Sequence, residues 1–181
     1  LPEESAERGV VCASAGNHAQ GVAYTCQALR IKGYIYMPAT TPRQKVSQVK
    51  RFGGSYVEIV LVGDTFDDAY MEAVRASERQ GLTFVHPFND PKIIAGNGTI
   101  AMEILQEAEG QVDYFFCAVG GGGLASGIGR YVKAISPETR IIGVEPSGAP
   151  AMHRAIAAGG VQTLETIDRF VDGAAVKRVG E

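Results

Sequence analysis

Two short stretches hold residue types whose spacing could do chemistry. The first is "VGGGGLASGIG", residues 119–129, where Gly120, Gly121, Gly122 and Gly123 run consecutively between an apolar segment and a helical pattern. A helix N-terminus presents unpaired N–H groups and a partial positive charge, so it accepts anions. Four residues without Cβ let successive N–H groups converge on one phosphate-sized group. A tight strand-to-helix crossing alone needs only one or two glycines. The loop therefore predicts phosphate binding. A dinucleotide fingerprint fails because position 126 is Ser where a third glycine would stand, and no GK[ST] follows to make a nucleotide P-loop. Glu145, at the end of the next apolar run, could still serve as a ribose-binding acid, so a nucleotide- or anion-binding module stays open as an alternative.

The second stretch is "CASAGNHAQGVA", residues 12–23, again at an apolar run entering a helix, with Ser14, Gly16, Asn17 and His18 in the turn. Ser14 or Asn17 could simply cap the helix. Capping accounts for one polar residue, whereas several followed by Gln20 fit a small carboxylate held by exposed N–H groups, with Asn17 adding a directional amide. His18 as a general base would need an orienting partner, and none lies nearby in sequence.

Alternating strands and helices must position these loops. Apolar runs at 9–13, 33–37, 56–62, 82–85, 114–119 and 140–145 read as strands, most of them solidly apolar, as parallel strands covered on both faces should be. Between them, "TPRQKVSQVKRFGG" offers Thr41 as cap, Pro42 at the first helical position, Gln44 three residues after the cap and Gly53 as stop. Residues 63–81 place Phe66, Ala69, Tyr70, Ala73 and Val74 on one face. "IIAGNGTIAMEILQEAEG" reads as a further helix, and the one opened by the glycine run carries a Leu124, Ile128, Val132, Ile135 stripe. This alternation predicts βαβ units with right-handed crossovers. "VHPFNDPK" (85–92) interrupts it and marks a domain boundary, and after about residue 160 the pattern weakens.

Composition narrows the class. With 17 basic and 20 acidic residues the net charge is −3, and without a basic stripe nucleic acid is not an expected partner. No apolar run has the length of a membrane span, "LPEESAERG" is not a signal peptide, and a soluble cytoplasmic α/β protein is expected. Cys12, Cys26 and Cys117 lack CxxC spacing and are expected to be reduced, buried thiols, with no metal site.

The segments "SAGNHAQGVA", "IAGNGTIAMEIL", "VGGGGLASGIG", "IIGVEP" and "FVDGAAVKRVGE", in that order, resemble the fold-type II (tryptophan synthase β-like) family of pyridoxal-phosphate enzymes. Within it they are most similar to the threonine dehydratases of the biosynthetic type. The resemblance spans essentially the whole chain. It implies a three-layer parallel-sheet α/β fold in two subdomains: a small mobile one over residues 1–86 and part of a larger cofactor-binding one over 87–181. It implies that Gly120, Gly121, Gly122, Gly123 and the N–H of Leu124 hold the phosphate of pyridoxal 5'-phosphate. By the same resemblance Asn17 bonds the ring hydroxyl, and Ser14, Ala15, Gly16 and His18 hold the substrate carboxylate. The implied activity is dehydration and deamination of L-threonine, and of L-serine, to 2-oxobutanoate or pyruvate and ammonia, for isoleucine biosynthesis, in a homo-oligomer. Serine racemase or a catabolic serine/threonine dehydratase is the alternative within the family.

The resemblance breaks at one point. The family joins its cofactor to a lysine upstream of the asparagine loop, and this chain has no lysine before Lys32. Lysines 45, 50, 92, 133 and 177 lie in no matching context, and the serine or cysteine that meets the pyridine nitrogen has no counterpart. The expectation is an incomplete catalytic domain, inactive by itself.

Overall fold

The computed structural model describes residues 2–181 and divides into two compact units, Leu1–Pro87 and Phe88–Glu181. In the first, a short helix α1 (Glu3–Arg8) precedes β1 (Val10–Ala13), α2 (Asn17–Leu29), β2 (Gly33–Met37), α3 (Arg43–Gly53), a 3₁₀ turn (Gly54–Tyr56), β3 (Val57–Leu61), α4 (Phe66–Gln80) and β4 (Thr83–Phe84). The strands form one parallel sheet in the order β3-β2-β1-β4, with Val10 opposite both Gly33 and Thr83.

Side-chain alternation along β1 builds a core on each face of this sheet. Val10 and Cys12 point with Ile35 and Met37 toward Ala19, Val22, Ala23 and Cys26 of α2 and Val49 of α3. Val11 and Ala13 point with Tyr36 toward Ala69, Ala73 and Ala76 of α4. Three buried alanines let α4 lie close to the sheet, while Phe66 and Tyr70 of the expected stripe pack at its margin. These are the three layers expected of a doubly wound unit. Because β1, β2 and β3 step one way and β4 returns to the other side of β1, the carboxyl ends of β1 and β4 frame a topological switch point. In open α/β sheets ligands bind in that crevice.

The second unit runs α5 (Pro91–Glu107), β5 (Tyr114–Ala118), α6 (Gly123–Ile135), β6 (Arg140–Val144) and α7 (Ala151–Ala158). Strands β5 and β6 pair in parallel. Phe115 and Cys117 face Ala101 of α5 and Ile128 and Val132 of α6. The helices cross at glycines: a Cβ on Gly127 would stand 2.3 Å from the Ile94 carbonyl oxygen and 2.8 Å from the Gly98 nitrogen. Glycines of "IAGNG" and "SGIG" thus serve backbone-to-backbone packing.

Three expectations need correction, and two helices went unread. Thr41 does not cap α3: the helix opens after Pro42, whose carbonyl accepts from Lys45 and Val46, and Gln44 closes no capping box. Thr41 is instead in a turn, its N–H bonded to Pro38 O at 3.0 Å and its Oγ1 buried without a partner among the described residues. The β5–β6 strands are covered on one face only, because the sheet has two strands and its helices lie on one side. Tyr114, Phe116, Ile142 and Val144 consequently remain exposed. Ile135 drops out of the α6 stripe at the helix end, where it is 63% exposed. Finally, α7 and α1 were not legible as helices. The segment after α7 folds back on it, with a Thr163–Arg178 bridge and Val179 buried against Ala151 and Ala155. The three cysteines are free and buried, as expected, and burial raises the pKa of each thiol, Cys26 to about 11.

Candidate functional site: two loops at strand ends

Both loops singled out in the sequence follow the carboxyl end of a parallel strand and open a helix, one in each unit. Strand β1 runs into Ser14–Gly16 and then α2. The Ser14 N–H donates to Tyr36 O at 3.1 Å, which ties the loop to β2, and Ser14 Oγ accepts from the Gly16 N–H at 3.1 Å. The serine hydroxyl thus shapes the turn and leaves the helix uncapped. Gly16 is the N-cap residue without a side-chain bond, and Asn17, expected as a possible cap, is the first helical residue and exposed. Among the described residues none accepts from the N–H groups of Asn17, His18 or Ala19. Helices α4 and α5 differ: Thr65 and Asp68 form a capping box on one, and Asp90 caps the other. A first turn with open donors at the switch point can accept a carboxylate-sized anion.

His18 is the residue whose setting the sequence could not supply. Its Nε2 lies 3.1 Å from the carbonyl oxygen of Val85, directly after β4. A carbonyl only accepts, so Nε2 carries the hydrogen and Nδ1 of the neutral ring is left as an acceptor. The bond spans the switch point, joining the loop after β1 to the chain leaving β4. Burial is the main cause that lowers the His18 pKa; the Val85 bond opposes it and His86 adds to it. The partner is 67 residues away in sequence, beyond any local pattern.

Strand β5 runs into Val119, whose N–H bonds Val144 O, and then into the glycine run. Gly122 is the N-cap of α6 with φ +93°, a conformation that favours glycine, and has no side-chain bond. The first intrahelical bond goes from Ser126 N–H to Gly122 O, and among the described residues none accepts from the N–H groups of Gly120 to Leu124. Five adjacent donors in one uncapped turn fit a phosphate.

Each glycine is nevertheless hemmed in by protein. A Cβ on Gly121 would meet the Phe88 ring at 2.3 to 2.5 Å, and one on Gly123 would meet Phe88 Cβ at 2.8 Å. At Gly122 it would stand 2.8 Å from Met152 Cε, and at Gly120 3.2 Å from Ala174 Cα. The crowding read from the sequence is real, but neighbours from the same unit produce it. Gly180 N–H donates to Gly121 O at 2.9 Å, which straps the far end of the chain across the loop.

Glu145 has another task than ribose binding. Its Oε1 accepts from Met152 N–H at 2.6 Å and its Oε2 from His153 N–H at 3.0 Å, so both oxygens cap α7 and hold Met152 over Gly122. The nucleotide alternative thereby loses its acid. Among the described residues no group of three or more His, Cys, Asp or Glu could hold a metal ion. Nor is any helix long and apolar enough to cross a membrane.

Similarity to known proteins agrees with this arrangement. The family model for "pyridoxal-phosphate dependent enzyme" matches residues 1–181. A biosynthetic L-threonine dehydratase of Halalkalibacterium halodurans is 59% identical over 181 residues, covering all of this chain and 44% of the relative. The chain therefore spans less than half the length of that relative. The processed form of threonine deaminase isoform 2 from Solanum lycopersicum superposes with a TM-score of 0.90 at 45% identity, over 100% of this chain and 52% of its own. Maize serine racemase superposes with a TM-score of 0.88 at 33% identity, over 99% and 53%. A chain matched from end to end by one family model, and superposing along its whole length on a threonine deaminase, belongs to the pyridoxal-phosphate dependent enzymes.

Proposed function

We propose that this chain is part of the catalytic domain of a biosynthetic-type threonine dehydratase, which converts L-threonine to 2-oxobutanoate and ammonia and L-serine to pyruvate and ammonia. The observation that carries the reading is the pair of strand-to-helix turns with open donors, one at Asn17–Ala19 and one at Gly120–Leu124. The 59% identity to a biosynthetic L-threonine dehydratase supports the dehydratase over the racemase. Bound pyridoxal phosphate supplies an electron sink for the α-carbon of an amino acid. The chain supplies the binding groups. The N–H groups of Gly120, Gly121, Gly122, Gly123 and Leu124 hold the phosphate. Ser14, Ala15, Gly16 and His18 line the substrate-carboxylate site at the α2 N-terminus. There the Ser14 hydroxyl hydrogen and the His18 backbone N–H remain to donate, while the Ser14 and Gly16 N–H groups are used within the turn. The exposed Asn17 amide orients the cofactor ring through the ring hydroxyl.

The lysine required for turnover is supplied from outside these residues. Lys133 Nζ is committed to the carbonyls of Pro137 and Thr139, at 2.9 and 2.7 Å, and closes the turn after α6. Lys32 lies 3.7 Å from Glu58 and over the Tyr34 ring. We accordingly place the active protein as a cytoplasmic homo-oligomer built from a longer polypeptide, and the 181-residue chain alone as inactive.

The experiment is formation of 2-oxo acid by the complete polypeptide from L-threonine, L-serine and D-serine. Expected is 2-oxobutanoate from L-threonine that disappears when pyridoxal phosphate is removed. Asn17→Ala should lower kcat/KM by about 100-fold, the usual size of a misplaced reacting group. Racemisation of serine without 2-oxo acid would replace this reading by the racemase. For the isolated chain, borohydride reduction after adding pyridoxal phosphate should label no single lysine; one labelled lysine together with threonine turnover would refute its inactivity.

A further inference from the structure

We propose that Phe88 is the positioning residue of the glycine loop: its ring and backbone fill the space beside Gly121 and Gly123 and set the curvature that leaves the loop's N–H groups without a protein acceptor. The inference rests on reading that loop as the phosphate site, and adds which residue shapes it.

Backbone conformation does not explain glycine at these two positions. Gly122 has positive φ, whereas Gly121 and Gly123 do not, so no left-handed φ bars an alanine at these two positions. The obstacle is steric and specific. Three ring atoms of Phe88, Cγ, Cδ1 and Cδ2, lie within 2.5 Å of where a Gly121 Cβ would be. The Cβ, Cα and carbonyl oxygen of Phe88 lie 2.8 to 3.0 Å from a Gly123 Cβ. One residue thus meets alternate members of the run. Gly122, between them, turns its own crowded side to Met152. A loop held on two sides by side chains of its own unit has its N–H groups arranged before any anion arrives, and an anion then need not meet the cost of ordering the loop.

The position of Phe88 suits the task. It lies two residues before Asp90, which caps α5 by accepting from Lys92 N–H at 2.7 Å, and next to Asn89, whose Oδ1 accepts from Glu181 N–H at 3.0 Å. Phe88 is therefore fixed to the start of α5 on one side and adjoins the strap over the loop on the other. Its shape is imposed on the glycines by elements that do not take part in the site.

A double-mutant cycle in the complete polypeptide tests this with two readouts: the Kd for pyridoxal phosphate, compared with that for pyridoxal lacking the phosphate, and the thermal midpoint without cofactor. Gly121→Ala should raise the Kd for pyridoxal phosphate by about ten-fold or more and lower the midpoint, while in the Phe88→Ala background the same substitution should cost little in either. Phe88→Ala alone should weaken pyridoxal phosphate more than pyridoxal, and Phe88→Leu should restore the preference to within about three-fold of the unsubstituted protein. An equal Gly121→Ala penalty in both backgrounds would overturn the proposal. So would coupling in the midpoint without coupling in Kd, since Phe88 would then support the fold and not the anion site. If the unsubstituted protein binds pyridoxal as tightly as pyridoxal phosphate, the phosphate reading itself fails, and the midpoint cycle separately reports whether Phe88 shapes the loop.

Discussion

His18 shows how a partly buried imidazole can be biased toward its neutral form. Burial lowers its pKa, and the Val85 carbonyl fixes the hydrogen on Nε2. For a base whose folded pKa is lowered, the unfolded chain takes up the proton first as pH falls below the ordinary value of 6.5. Stability from this residue is therefore full above that value and is lost as pH falls toward the folded pKa. Thermal midpoints measured from pH 8 to pH 5 should fall for the parent, and fall less for His18→Gln, whose amide can still donate to Val85 O. An identical slope in both proteins would show that His86 or the carboxylates carry the acid sensitivity. Asn17 and the glycines were legible at this scale because a strand end, a run of glycines and a polar turn are local patterns. Ser14 was read correctly as part of the loop, but as a shaper of the turn it leaves donors open that a capping serine would have closed.

Among elements, the α5–α6 crossing is decided by which glycines touch backbone. Gly127 has the Ile94 carbonyl oxygen 2.3 Å from its would-be Cβ, while Gly96 on α5 has nothing within 4 Å. Gly127→Ala is expected to cost about 1–3 kcal/mol by overpacking. Gly96→Ala is expected to stabilise by about 0.4–1 kcal/mol, because it restricts the unfolded chain in a helical position with open space. Chemical denaturation of both variants checks the pair of signs; equal effects would mean that helix propensity outweighs the crossing. The motif "IAGNG…SGIG" was visible in the sequence, but not which glycine serves packing, since that depends on how two helices approach. The misassigned start of α3 has a similar origin. Thr41 and Pro42 match a start signal, yet the Pro38–Thr41 turn already uses the Thr41 N–H.

For the whole molecule, the unevenness of its two units matters. The first buries its sheet on both faces, whereas the second exposes Tyr114 and Phe116 at 52% and 70%. An apolar strand face of this kind is larger than scattered exposed residues on ordinary surfaces, and such patches mark sites of association. The isolated 181-residue chain should therefore enhance the fluorescence of a hydrophobic dye, with the enhancement reduced in a Tyr114→Thr, Phe116→Thr variant at unchanged helix content. An unchanged signal in that variant would locate the dye elsewhere. The expected cover of both strand faces came from the apolar runs themselves, because an apolar run records what a strand is suited to bury and not which neighbours are present.

Local order was set by the sequence itself: the alternation of strands and helices, the two strand-to-helix turns and the identity of their polar residues all follow from local patterns. Strand order, the switch point beside β1, the His18–Val85 bond and the fit of Phe88 beneath Gly121 were decided only in three dimensions. Each joins residues far apart in the chain, through packing that no periodicity encodes. Four consecutive glycines therefore announced a close approach, and the tertiary structure identified what approaches: an aromatic ring on one side and a methionine on the other, with the loop's N–H groups left without an acceptor among the described residues.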